Sequence, residues 1–273
     1  MTMNLISIMQ GRLSPDPNGF FQFFPEKWEE EFRLAREIGF NAIEWLWDWR
    51  NWEQNPILSD ESIEKIKKAI KESGILVGSL CADYYMKKSF FGDDAIQSIE
   101  LLKKLILNSK AVGIKSIVIP FLEELAIKDE ITKKEIIANI KKVIPVAEQN
   151  NVKLNFETEM NSDELIDFIN SFNSSFVGVC YDLGNAVSYG FNLSKDIKQL
   201  DKFIGEVHLK DRKIGTTKSV LFGQGEVNFR ACFVALKDIN FNSPIVLQAW
   251  RGEDYLNDAK MQLNFIKSTI DSI

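Results

Sequence analysis

Residues 153–184 read KLNFETEM, then NSDELIDFINSFNSS, then FVGVCYDLG. Lys153–Glu159 and Val177–Gly184 are short runs rich in β-branched and aromatic residues, which predicts two strands. Ser162–Phe172 between them predicts an amphipathic helix opened by a serine cap. A strand, a helix of about three turns and a second strand over some thirty residues make one βαβ unit, so the two strands run parallel.

The same alternation runs outward in both directions. Strands are predicted at Leu5–Gln10, Asn41–Trp47, Ile75–Ala82, Ser116–Phe121, Ile204–Asp211 and Pro244–Trp250. Helices are predicted at Pro25–Ile38, Asp60–Ser73, Asp93–Val112, Lys133–Gln149, Ser194–Lys202, Asn228–Ile239 and Asp254–Ile273. Apolar residues recur at helical spacing, as in Leu101, Leu102, Leu105 and Ile106, or Ile136, Ile137, Ile140 and Val143. Gly39 and Gly113 punctuate helix ends. Eight such units predict a single α/β domain, a (β/α)8 TIM barrel over residues 1–273. An open doubly wound sheet would place a glycine-rich phosphate turn after its first strand, and Met9-Gln10-Gly11-Arg12 is not G-x-G-x-x-G.

Bulk properties narrow the function. The chain has 273 residues, 45% hydrophobic and 26% charged, with a net charge of −6. That balance suits a globular core and gives no general attraction to nucleic acid or anionic membrane. Cys81, Cys180 and Cys232 are odd in number and lack metal-thiolate spacing, which fits a reduced compartment. The first ten residues lack the pattern of a signal peptide, and no apolar run approaches a membrane span. The expectation is a cytoplasmic protein acting on a small molecule, with a homo-oligomer left open.

Barrel chemistry sits at the carboxyl ends of the strands. Those ends carry Glu44; Cys81 and Asp83; Glu157 and Glu159; Asp182 and Asn185; His208, Lys210 and Asp211; Gln248 and Arg251. Several carboxylates inside one barrel are costly to bury unpaired, and a divalent cation (Mn, Co, Zn or Mg) would relieve the cost. His208 is the only histidine. A lone histidine is often structural, but this one ends a strand beside strands ending in Asp182 and Gln248. The 213–225 segment offers Lys218, Ser219 and glycines to a substrate phosphate, with an ordinary solvated turn as the alternative. Arg251 could take a phosphate or carboxylate. Phe20, Phe21, Phe23, Phe24, Trp45, Trp47, Trp49, Trp52, Tyr84 and Tyr85 crowd the first three loops, where they could face a sugar, pack as a lid or meet another subunit.

In order, Tyr181-Asp182-Leu183-Gly184-Asn185, Val207-His208-Leu209-Lys210-Asp211-Arg212, Phe222-Gly223-Gln224-Gly225-Glu226-Val227-Asn228-Phe229 and Leu247-Gln248-Ala249-Trp250 resemble the sugar-phosphate isomerase/epimerase family of xylose isomerase-like barrels. The pattern is similar to that of L-xylulose- and L-ribulose-5-phosphate 3-epimerases. The resemblance implies one divalent metal on Glu157, Asp182, His208 and Gln248, and a sugar or sugar-phosphate substrate. Glu157 would then be the base, with Glu44, Asn185, Lys210, Lys218, Ser219 and Arg251 about the substrate. The family carries a second glutamate where this chain has Gln248, and an amide can ligate a metal but cannot usefully move a proton. Glu159 is the nearest replacement donor on the strand, and water is another. A non-catalytic sugar-binding barrel remains an alternative. An AP-endonuclease-like phosphodiesterase would need more histidines and a basic face.

Overall fold

A computed structural model describes residues 5–15, 19 and 21–273. Eight parallel strands close on themselves: β1 (Ile6–Met9), β2 (Ala42–Leu46), β3 (Leu76–Cys81), β4 (Ser116–Phe121), β5 (Lys153–Thr158), β6 (Val177–Asp182), β7 (Ile204–Leu209) and β10 (Ile245–Leu247). A two-stranded antiparallel ribbon, β8 (Asp211–Arg212) and β9 (Ser219–Val220), lies between β7 and β10 in the chain. The predicted (β/α)8 barrel is the observed fold.

Side-chain alternation makes two apolar layers. Ile8, Phe156, Val179, Val207 and Leu247 face outward and join the large core under the helices. Met9, Leu46, Cys81, Val118, Cys180 and Val246 form a smaller cluster of their own, in which Met9 and Val246 follow the opposite alternation and point inward. Polar residues share the barrel interior: Ser79, Asn155, Glu206 and His208 are fully buried.

The helices follow the amphipathic pattern with informative exceptions. The predicted Lys133–Gln149 helix is two helices, α4 (Glu130–Lys141) and α5 (Ile144–Asn150). Pro145 is the reason. It has no N–H to give, and its ring would clash with the carbonyl one turn back, so it starts a new helix. A short helix, α7 (Leu183–Ser188), also follows β6 directly, where the sequence predicts continuing strand. Asn161, rather than Ser162, caps α6 (Ser162–Asn170), in a reciprocal capping box with Glu164. Among the described residues no helix is long and apolar enough to cross a membrane.

Candidate active site

Glu157, Asp182, His208 and Gln248 stand at or just past the ends of β5, β6, β7 and β10, which are consecutive around the barrel. Asp182 and His208 face each other in register across β6 and β7. Glu157 Oε2 lies 4.0 Å from His208 Nδ1. All four residues are buried.

Their hydrogen bonding is one-sided. Asp182 caps α7, its Oδ1 accepting the Asn185 N–H at 2.8 Å. Its Oδ2 accepts only from the Lys210 ammonium, at 2.9 Å. Gln248 donates its amide to Gln22 Oε1 at 2.7 Å, which leaves Gln248 Oε1 buried and unpartnered. His208 offers Nε2 to Glu44 Oε1 at 3.2 Å, and its Nδ1 is orphaned. Each buried polar atom left so costs about 1–3 kcal/mol. Two oxygens, an imidazole nitrogen and the nearby Glu157 carboxylate are a donor set that fits a divalent cation. Cys180 is also close: its sulfur, a Glu157 oxygen and a His208 nitrogen lie within 4.8 Å of one another.

Below His208 is a second acidic layer. Ser79 donates to Glu44 Oε1 at 3.1 Å, and Ser116 donates to Glu206 Oε2 at 3.0 Å. Glu44, Glu206 and His208 again cluster within 4.8 Å. Burial and the adjacent Glu44 push the Glu206 carboxyl up to about 8. Glu44, in the middle of β2, is fully buried and meets the ring nitrogen other than the one that faces Glu157. With a cation on Nδ1, Glu44 would accept the Nε2 proton and hold the ring in place.

Glu157 is positioned from the side. Asn185 donates its amide to Glu157 Oε1 at 2.6 Å, and Arg212 donates to the Asn185 oxygen at 2.5 Å. Burial and the Asp182 charge raise the Glu157 carboxyl to about 7. Burial pushes Asp182 the other way from its net shift: Lys210, His208 and Arg212 together hold it below the usual carboxylate range. Lys210 crosses over Gly184, where a β-carbon would come within 2.6 Å of the lysine Cβ.

Glu159 lies past the end of β5 and accepts the Glu123 N–H at 2.6 Å. The glycine amides expected to cradle a phosphate are already occupied: Gly223 and Gly225 donate to Asp211 Oδ2 at 2.8 and 3.0 Å, and Val227 donates to Oδ1. Lys218 is exposed on that loop, and Ser219 sits in β9 opposite Arg212. Arg251 bonds the Gly11 carbonyl and lies over the Phe23 ring.

Four of the crowded aromatics are core. Trp45, Trp47, Tyr84 and Tyr85 are fully buried, with Trp47 stacked on Tyr84 at 4.2 Å. Phe20 lies outside the described residues. Phe21 does reach the mouth, between the Arg12 guanidinium at 4.3 Å and the Lys210 ammonium at 5.8 Å. The segment 21–23 is anchored there: Arg12 and Arg50 donate to the Phe21 and Gln22 carbonyls, and the Gln22 amide donates to Asp83. Cys180 and Glu206 were legible as residues two before Asp182 and His208 on the same strand faces. Gln22 and Arg12 come from a loop, whose course no periodicity reveals.

Residues 32–269 match the sequence profile of a family described as xylose isomerase-like TIM barrel. The L-ribulose-5-phosphate 3-epimerase UlaE of Shigella flexneri serotype 5b is 27% identical over 242 residues, covering 82% of this chain and 83% of its own. Among solved structures, an L-ribulose 3-epimerase superposes with a TM-score of 0.78 at 19% identity, over 99% of this chain and 95% of that one. The IolI protein, solved with a bound zinc atom, gives 0.74 at 22% identity, over 98% and 96%.

Proposed function

The chain belongs to the xylose isomerase-like TIM barrel family, and from that footing we propose that it is a metal-dependent epimerase or isomerase of a ketose or ketose phosphate. One observation carries the reading. Four neighbouring strand ends present Glu157, Asp182, His208 and Gln248; Gln248 Oε1 and His208 Nδ1 are buried without a hydrogen-bond partner, and Asp182 Oδ2 is held only by Lys210. The epimerase names of the relatives supply the substrate class.

A divalent ion on this set would act as a Lewis acid toward the substrate's carbonyl and neighbouring hydroxyl oxygens. The chain's own residues do the rest. Glu157, aimed by Asn185, takes the proton from the carbon beside the carbonyl. Lys210, next to Asp182, places a positive charge beside the oxygens on which negative charge develops. Arg12 has Nε and one terminal nitrogen buried without partners. Burial and the adjacent Arg251 lower the Arg12 pKa to about 9. Two guanidiniums so close favour a substrate that carries an anionic group.

A non-catalytic binder is the second reading, favoured by Gln248 alone, since the amide cannot relay a proton. NMR of L-ribulose 5-phosphate and a panel of other ketoses and ketose phosphates, incubated with protein and Mn²⁺, separates the two. New epimer or aldose signals are expected. Binding without any turnover or proton exchange would establish the binder.

A further inference from the structure

Inversion at a carbon needs a proton removed from one face and another delivered to the opposite face, and Gln248 cannot deliver one. The acids around the mouth can be taken in turn. Asp48 is paired with Arg50 at 2.6 Å. Asp211 is saturated by three backbone amides. Glu31 accepts from Gly11, Leu13 and Ser14. Glu44 and Glu206 are sealed beneath His208, each 0% exposed. Glu159 is bound to the Glu123 amide past the end of β5.

Asp83 remains. It follows β3, which lies four strands from β7 in either direction, so it stands across the mouth from His208. It is only partly buried, unlike the sealed pair below. Its two oxygens accept from the Cys81 thiol, at 3.3 Å, and from the Gln22 amide, with no ion pair at hydrogen-bonding distance among the described residues. Gln22 in turn accepts from Gln248. Asp83 is therefore one carboxamide away from the side chain that replaces the expected second carboxylate. Glu157 and Lys210 both lie within its electrostatic reach.

We propose that Asp83 is the second acid–base residue of this site, delivering a proton to the substrate face opposite Glu157. The assignment rests on the epimerase reading above. Glu157 takes the proton from the carbon beside the carbonyl, and the C–H electron pair passes into an enediolate. The protonated Asp83 then gives its proton to the other face of that carbon and becomes a carboxylate. Glu157 releases its proton to solvent and Asp83 recovers one, so no oxidant or co-reactant is consumed. Burial raises the Asp83 carboxyl to about 6, near enough to neutrality for both protonation states to be populated.

The test uses the metal-loaded full chain in D2O with L-ribulose 5-phosphate, or whichever panel ketose it turns over. The unmodified protein should form the 3-epimer carrying deuterium at the inverted carbon. Asp83→Asn should lose epimer formation by about 10²–10⁴-fold. It should still wash deuterium into recovered substrate through Glu157, with its metal content unchanged. Adding Gln248→Glu to Asp83→Asn should restore inversion, because a carboxylate returns one carboxamide away. Epimer formation by Asp83→Asn within about threefold of the unmodified protein would overturn the assignment. So would loss of both exchange and inversion with fold and metal intact, since Asp83 would then serve binding. If the unmodified protein shows no exchange with any ketose, it is the epimerase reading itself that fails.

Discussion

His208 is held by its two ring nitrogens in opposite ways: Nε2 rests on Glu44, and Nδ1 is left open toward Glu157. Carboxylates behind a ligating histidine fix its tautomer and raise its basicity, and removing one typically costs about 10–100-fold in metal affinity. Glu44→Gln should therefore weaken Mn²⁺ or Zn²⁺ binding by that order while the far-UV circular dichroism stays unchanged, as read by competition with a chromophoric chelator. Unaltered affinity would mean that the ring orientation is set by packing alone. This arrangement was half legible in the sequence. Both Glu44 and His208 are expected near strand ends, but Glu44 is the middle residue of β2 and His208 the penultimate residue of β7, and depth within the barrel depends on stagger between strands. The register shifts between Ile43 and Glu44 on β2 and between Val179 and Cys180 on β6. No one-dimensional pattern announces them.

At the scale of elements, the site depends on how strands stop. β6 stops because Asp182 turns its carboxylate to cap α7, and the same residue keeps its other oxygen for the pocket. Glycine at 184 lets Lys210 lie across that first helical turn. Gly184→Ala must push the end of β7 outward, and overpacking of this kind costs about 1–3 kcal/mol. A lowered thermal midpoint is expected, with weaker metal binding because Lys210 and Asp182 move apart; an unchanged midpoint would show that β7 has slack. The β1–α1 loop has a different fastener. Glu31, on α1 (Trp28–Ile38), is buried and accepts from Gly11, Leu13 and Ser14, yet burial outweighs those bonds and raises its carboxyl to about 7. A carboxyl raised in the folded state adds stability below its ordinary pKa near 4.5 and loses it as pH rises through 7. The unmodified protein should thus lose up to about 3 kcal/mol relative to Glu31→Gln between about pH 4.5 and 8. Parallel stability–pH curves would exclude this. Helix periodicity placed α1 correctly, but the loop ahead of it was unreadable, since its course is fixed by contacts to β2 and to the segments that follow β2, β3 and β10 rather than by local pattern.

At the scale of the whole molecule, eight repeats of strand and helix close a barrel whose strand ends converge on one mouth, and this was readable because periodicity is a local property. The acidic balance agrees with a small neutral or anionic substrate steered by local cations, Arg12, Lys210 and Arg251, rather than by the net charge of −6. What the barrel adds is assembly: residues 51 positions apart, Glu157 and His208, meet at 4.0 Å. The central claim is that this meeting point moves a proton from carbon. Its most direct measurement is deuterium incorporation from D2O into a ketose phosphate, compared between the metal-loaded protein, the metal-stripped protein and metal-loaded Glu157→Gln. Exchange is predicted in the first only, with Glu157→Gln reduced by at least about 10²-fold and still folded. Undiminished exchange in Glu157→Gln, or equal exchange with and without metal, would contradict it.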